Sequence, residues 1–396
     1  MRPPKLPRRS LKIGFSMSVV EQVVDSSGSF VPVYRPRLPK AESVAGYLAQ
    51  LDASRLYTNH GDLSALLESR LAAAFSIATG GVIGAASGTA ALTGAILAAA
   101  GRATAKRPLC LCPGYTFVAA PLAAELCGYR MHLVDVDEAA WVMEPDVLAA
   151  HPLLDRVGVI LVAAPYGRRL AQTAWVRLSQ QTGIPVVIDA AASFEALADD
   201  AKSLIGSIPI VLSFHATKAF STGEGGAIVS TDPAMARAAM AALNFGFDGV
   251  RETTGPGFNG KMSEYQAAVG LAELDGWAEK CAAFRRVAET YREFAESKGL
   301  RLHVAPAVSS NYVLFEAASE RSAGAAQVAL GCAGFDHRLW YGRGLHREAY
   351  FRHVSRDVLP GVEALAPRLI GLPMAPDLSE GVVERIVAAL AATQTQ

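Results

Sequence analysis

Short apolar runs alternate with longer helix-period patterns through the first part of the chain. Residues 82–86, 109–112, 131–134, 157–163, 185–188, 211–212 and 227–229 read as buried strands, apolar, partly β-branched and bounded by glycine or small polar residues. Helical patterns run over about 42–51, over 63–75 with Leu63, Leu66, Leu67 and Leu71 on one face, and over 90–100. Continued to residue 231, this alternation predicts an α/β fold with a mainly parallel sheet covered by helices on both faces. Residues 30–39 are too rich in proline for a central strand and read as an extended lead-in.

The pattern changes after residue 262. Ser263-Glu264-Tyr265-Gln266 is a capping box that opens a helix to about Trp277, and a second helix over 279–297 puts Phe284, Val287, Tyr291 and Phe294 on one face before Gly299 stops it. Strands are expected at 300–304, 311–315 and 339–341, and a closing helix at 380–390. The expected organisation is a flexible tail over 1–30, a large α/β domain over 31–262, and a connecting helix with a smaller α+β domain over 263–396. Residues 78–101 carry no charge and are long enough to cross a bilayer, but Ser87 and Thr89 divide them into strand, turn and helix.

Composition narrows the function classes. In 396 residues, 51% hydrophobic and 19% charged, 37 basic side chains balance 37 acidic ones, which gives no net field for nucleic acid or an anionic membrane. Five cysteines in apolar or helical settings, without a second pair or nearby histidines, argue for reduced thiols, a cytoplasmic setting and no metal site. The basic start, residues 1–9, lacks the apolar core and cleavage site of a signal peptide.

The candidate chemistry begins at Ser213-Phe214-His215-Ala216-Thr217-Lys218, followed by Gly223-Glu224-Gly225-Gly226 on a turn between two buried strands. A lysine held against apolar and glycine surface is partly desolvated, which disfavours its ammonium form and frees the amine to attack a carbonyl. Ser87-Gly88-Thr89 opens a helix after a strand; its free N–H groups suit a phosphate, although the tripeptide alone fits a simple capped start better. Asp189 ends a continuous apolar strand, where open α/β sheets bind ligands. Gly255-Pro256-Gly257-Phe258-Asn259-Gly260-Lys261 mimics nucleotide-binding glycine patterns, but no strand leads into it and Met262 stands where a hydroxyl is required.

Ser-Phe-His-Ala-Thr-Lys with Gly-Glu-Gly-Gly resembles the lysine signature of the nucleotide-sugar aminotransferases, the DegT/StrS family, whose members are pyridoxal 5'-phosphate (PLP) enzymes of fold type I with a seven-stranded type of sheet. The resemblance extends from about residue 31 to the terminal helix, with its specific motifs between 57 and 266. It implies that Lys218 forms the internal Schiff base, that Ser213, Gly88 and Thr89 contact the phosphate, that Phe117 stacks on the pyridine ring, and that Asp189 keeps the ring nitrogen protonated. It implies a homodimer with shared sites, Asn259 reaching the phosphate of the neighbouring subunit. Thr58, Asn59, Lys261, Arg343 and His346 become candidate substrate contacts.

The implied reaction moves an amino group, with glutamate as donor, to a keto-sugar nucleotide, an NDP-4-keto-6-deoxyhexose, by ping-pong turnover. Two departures from the family pattern stand out: Ala192 where many relatives carry Gln or His, and Lys261 where Arg is common. A cyclitol ketone as acceptor and a non-catalytic regulatory protein of the same fold are the alternatives; intact Lys218, Asp189 and Ser213 speak against the second, and Lys218 against a dehydratase, whose relatives carry histidine there.

Overall fold

The computed structural model describes residues 30–393; the expected N-terminal tail falls, but for Phe30, outside them. Eleven strands are described: β1 (Val82–Ala85), β2 (Leu109–Pro113), β3 (Arg130–Val134), β4 (Val157–Ala163), β5 (Val186–Asp189), β6 (Ile210–Ser213), β7 (Gly226–Val229), β8 (Leu302–His303), β9 (Leu314–Glu316), β10 (Ser355–Arg356) and β11 (Leu369–Gly371). The first seven and β10 form one sheet in the order β1-β7-β6-β5-β4-β2-β3-β10. Only β7 runs opposite to the other strands of this sheet. Helices bury both faces, so β4 is buried along its whole length, as its unbroken apolar sequence requires.

The apolar stretch 78–101 divides as its interruptions predict, into β1 and the helix Gly88–Ala100, and no helix of the described residues is long and apolar enough to cross a membrane. That helix packs close to the helix Pro233–Leu243, because a Cβ on Gly94 would come within 2.7 Å of the Leu243 side chain. The capping box forms at Ser263 and opens Glu264–Asp275; Trp277–Ser297 comes next.

Strands β8, β9 and β11 make a separate antiparallel sheet. A second hydrophobic cluster, including Phe284, Tyr291, Phe315, Leu330, Ile386 and Leu390, packs around it. The expected strand over 339–341 is not one. Trp340 and Tyr341 instead lie in a turn, with Tyr341 stacked on Tyr166 at 4.7 Å, and Gly342 (φ +56°) and Gly344 (φ +90°) leave the extended conformation that a strand needs. Leu345, Phe351, Val362 and Leu365 pack into the large core, and β10 extends the main sheet at β3.

A three-residue latch holds that edge. His132 on β3 and His151 each approach Asp357 through Nε2, at 3.0 and 3.2 Å. The opposite ring nitrogens also have partners: Ser355 Oγ lies 2.8 Å from His132 Nδ1, and the Leu153 N–H donates to His151 Nδ1 at 3.3 Å. Both imidazoles are buried, so this network replaces the water they have lost.

Candidate active site

The site forms where strand ends meet at one level of the sheet. Ala85 on β1 pairs with Gly226 on β7, and Gly226 with Ser213 on β6, while Asp189 ends β5 opposite Val211. Side chains would not fit between these strand ends. A Cβ on Gly226 would lie 2.7 Å from the Leu212 carbonyl oxygen and 2.9 Å from the Gly88 nitrogen, and one on Gly88 would meet the Ser213 Cβ at 2.8 Å. Glycine at both positions thus brings the start of the helix Gly88–Ala100 against Ser213. Ser87 caps that helix, its Oγ accepting from the Ala90 N–H at 3.1 Å. Helix geometry leaves the Gly88 and Thr89 N–H groups without intrahelical acceptors, beside a serine hydroxyl and at the positive end of the dipole.

Asp189 is 7% exposed, and Oδ1 accepts the Ala191 N–H at 3.1 Å. Burial raises its pKa above the ordinary carboxylate value, only partly offset by that hydrogen bond and by the positive charge of Lys218. Such a carboxylate gains from any cation or N–H donor brought to it. Ala192 nearby is buried and has no polar atom to add.

Lys218 sits at the turn of a ribbon that continues β6 and β7: the Phe214 N–H donates to the Gly225 oxygen at 2.9 Å, and the Ala216 N–H to the Gly223 oxygen at 2.8 Å. Phe214 and Phe220 anchor the ribbon. Phe220 stacks on Phe194 at 4.1 Å, and Phe214 meets Phe220 edge-on at 5.0 Å. Lys218 Nζ donates to the Tyr312 hydroxyl at 3.3 Å, and Asn311 Nδ2 donates to the Thr217 oxygen at 3.0 Å. Behind Tyr312 lies an aromatic wall in which Tyr166 stacks on Tyr341 and its hydroxyl pairs with that of Tyr115 at 2.7 Å. Burial pushes the Tyr115, Tyr166 and Tyr341 hydroxyls well above their ordinary pKa. Phe117, on the loop after β2, is 55% exposed, an unusual position for a large apolar ring in a loop that is otherwise buried.

The other candidates are more scattered. Asn259 and Lys261 are joined to each other, Nζ to Oδ1 at 2.8 Å, with Nζ 4.7 Å over the Phe245 ring; burial lowers the Lys261 pKa. An isolated bridge from Lys261 to Ala85 sets this loop beside the turn before Ser87. Thr58 and Asn59 are exposed on a loop where Asn59 and His60 take positive φ. Glu264, fully buried, ties down the end of that loop by accepting the Gly61 and Leu63 N–H groups at 3.0 and 2.8 Å. Arg343 pairs with Glu320 at 2.6 Å on the surface, and buried His346 lies 3.3 Å from Glu363. No described contact joins either residue to Lys218, Asp189 or Ser213.

The sequence profile of the DegT/DnrJ/EryC1/StrS aminotransferase family matches residues 40–391. The chain belongs to this family. Among its relatives, Protein Rv3402c of Mycobacterium tuberculosis is 33% identical over 91% of this chain and 89% of its own length. The UDP-N-acetyl-3-dehydro-alpha-D-glucosamine 3-aminotransferase of Acidithiobacillus ferrooxidans is 28% identical over 86% of this chain and 90% of its own. DesI, solved in the presence of its TDP-sugar product, is 28% identical, covers 93% of both chains and superposes with a TM-score of 0.81. The protein is a PLP-dependent aminotransferase with an α/β fold of the PLP-dependent type.

The residues present suit that cofactor. Helix N–H groups and a hydroxyl can hold a phosphate, a buried acid can face a ring nitrogen, an exposed phenyl ring can cover a flat heterocycle, and a primary amine lies close enough to the acid to act on its charge. Sequence reasoning missed Tyr312, Asn311 and Tyr166 as members of this neighbourhood. Tyr166 lies just past the end of β4 as Asp189 lies at the end of β5, so a survey of the residues at each strand's carboxyl end would have found it; Tyr312 reaches Lys218 from 94 residues away and leaves no local signal.

Proposed function

We propose that this aminotransferase transfers the amino group of glutamate to the keto group of a nucleotide-linked hexose, an NDP-4-keto-6-deoxyhexose, in amino-sugar biosynthesis. The substrate class rests on the two relatives whose names specify a UDP-sugar and a TDP-sugar. The site assignment rests on one observation: an amine, a desolvated acid and a helix N-terminus converge at the strand ends.

Bound PLP supplies an electron sink that stabilises negative charge on the carbon next to the transferred nitrogen. In our reading Gly88, Thr89 and Ser213 bind its phosphate, and Phe117 covers one face of its ring and excludes water there. Asp189 would hold a proton on the ring nitrogen, whose positive charge would offset the desolvation that raises the carboxyl pKa. Lys218 would hold the aldehyde end, and its free amine would take up and return a proton at Nζ. We also infer a homodimer in which the loop bearing Asn259 and Lys261 completes the neighbouring site, and a cytoplasmic setting, in keeping with five free cysteines.

The test is the near-visible spectrum of the PLP-loaded protein before and after glutamate, then borohydride reduction with peptide mapping, then a panel of keto-sugar nucleotides. Glutamate should bleach the band, reduction should fix PLP on Lys218, and a 4-keto sugar nucleotide should restore the band. Turnover with a cyclitol ketone but with no sugar nucleotide would overturn the substrate assignment.

A further inference from the structure

The ribbon bearing Lys218 is gripped from far downstream in the chain. The Tyr312 hydroxyl accepts from Lys218 Nζ at 3.3 Å, and Asn311 Nδ2 donates to the Thr217 carbonyl oxygen at 3.0 Å, the peptide oxygen just before the lysine. Four contacts hold this short segment in place. Ser309 Oγ donates to Asn311 Oδ1 at 2.8 Å, which orients the amide. The Ser309 N–H donates to the Tyr166 oxygen at 2.8 Å, the Ser310 N–H to buried Glu195 at 2.9 Å, and the Tyr312 N–H closes a turn on the Ser309 oxygen at 2.9 Å. The Tyr312 ring is fixed as well, edge-on to Tyr166 at 5.5 Å and to Trp340 at 5.6 Å.

Transamination needs an amine that leaves a carbon, waits and returns. A released lysine side chain is free to turn about every bond of its stem, so an unheld amine loses the geometry that makes its next attack fast. A hydroxyl is a partner for both forms of that amine, accepting an N–H from the ammonium or donating its O–H to the neutral lone pair.

We propose that Tyr312 is a further catalytic residue of this transaminase, with Asn311 as its positioning partner. Tyr312 holds the Lys218 amine whenever that amine is not bonded to carbon, and Asn311 fixes the backbone from which the lysine projects. The proton taken up at Nζ leaves again from Nζ, and the tyrosine keeps its own, so the hydroxyl exchanges no net proton. This proposal rests on the assignment of Lys218 as the reacting amine.

Tyr312→Phe keeps the ring and its edge contacts and removes only the hydroxyl. Two rates measured on full-length, cofactor-free protein separate positioning from damage. Acylation of Lys218 by acetic anhydride, read by peptide mass spectrometry against the other lysines, should become about three- to tenfold faster, because the amine loses a charge-assisted partner. Capture of added PLP, read by its absorbance change, should become about tenfold slower, because the amine is no longer aimed. Asn311→Ala should slow capture in the same direction and provides a second variant should the first fail to fold.

Both Tyr312→Phe rates within twofold of wild type would overturn the proposal, as would both falling together. Borohydride fixation of PLP on a lysine other than Lys218 would overturn the site assignment itself. Fixation on Lys218 with unchanged Tyr312→Phe rates would overturn the tyrosine's role alone.

Discussion

Replacing Glu264 with glutamine should release the loop at residues 57–61 while leaving the sheet intact. The helix Asp62–Ala74 begins after Gly61, which has no side chain to cap it, and the cap is supplied by Glu264 from the start of another helix. One carboxylate oxygen takes the Gly61 N–H at 3.0 Å and the other the Leu63 N–H at 2.8 Å; the Ser64 N–H and hydroxyl share them. Gly61 permits the approach, since a Cβ there would stand 2.8 Å from the carboxyl carbon. An amide keeps one acceptor and turns an NH₂ group toward N–H donors, so at least one buried donor loses its partner and the helix end loses a negative charge. Together these changes should cost about 2–4 kcal/mol. Hydrogen exchange resolved by mass spectrometry should show peptides covering 57–66 exchanging roughly 30- to 1,000-fold faster, with the strands unchanged. Exchange of that segment within about twofold of wild type would refute the view that this carboxylate is the helix cap.

Three further outcomes rest on contacts in the large domain. Burial raises the Glu68 carboxyl from 4.5 to about 7, and Gly84 donates to it at 2.7 Å. The folded state therefore binds this proton more tightly, and wild-type stability falls as pH rises from about 4.5 through 7; Glu68→Gln should be more stable above pH 7, by up to about 3 kcal/mol, with the difference shrinking toward pH 4.5 in chemical denaturation. Gly88→Ala should push Ser213 aside and weaken PLP binding at least about tenfold by equilibrium titration; unchanged affinity would remove Gly88 from the phosphate site. Asp357→Ala leaves two buried imidazole nitrogens without a partner and should cost about 1–3 kcal/mol, read as faster exchange of the Asp357 segment that bonds to Leu133.

The parts of the fold and of the candidate site that were legible in the sequence share a local cause. Asp189 and Ser213 are marked by the apolar strands they end, Gly88 and Thr89 by the helix they open, and Ser263 and Gln266 by a four-residue capping signature realised as written. The illegible parts are contacts whose two halves are remote in sequence and ordinary in isolation. Asn311 and Tyr312 read as the start of a strand, yet β9 begins only at Leu314 because these two residues are drawn to the lysine ribbon. Glu264 stands in the sequence only as an inner residue of that capping box, while its oxygens serve another helix. The strand expected over 339–341 failed for a related reason: its aromatic residues are recruited by Tyr166 and Tyr312 rather than by a neighbouring strand.

The cap on the helix Asp62–Ala74 also has a consequence for the nascent chain. Its donor at Gly61 and its acceptor at Glu264 are separated by 203 residues. At ribosomal speeds of about 5–20 residues per second, the start of that helix is exposed in the growing polypeptide for roughly 10–40 s before its partner is made. A translational pause ahead of codon 264 would lengthen that interval, and the first half of the protein would depend on chaperone cover until it ends.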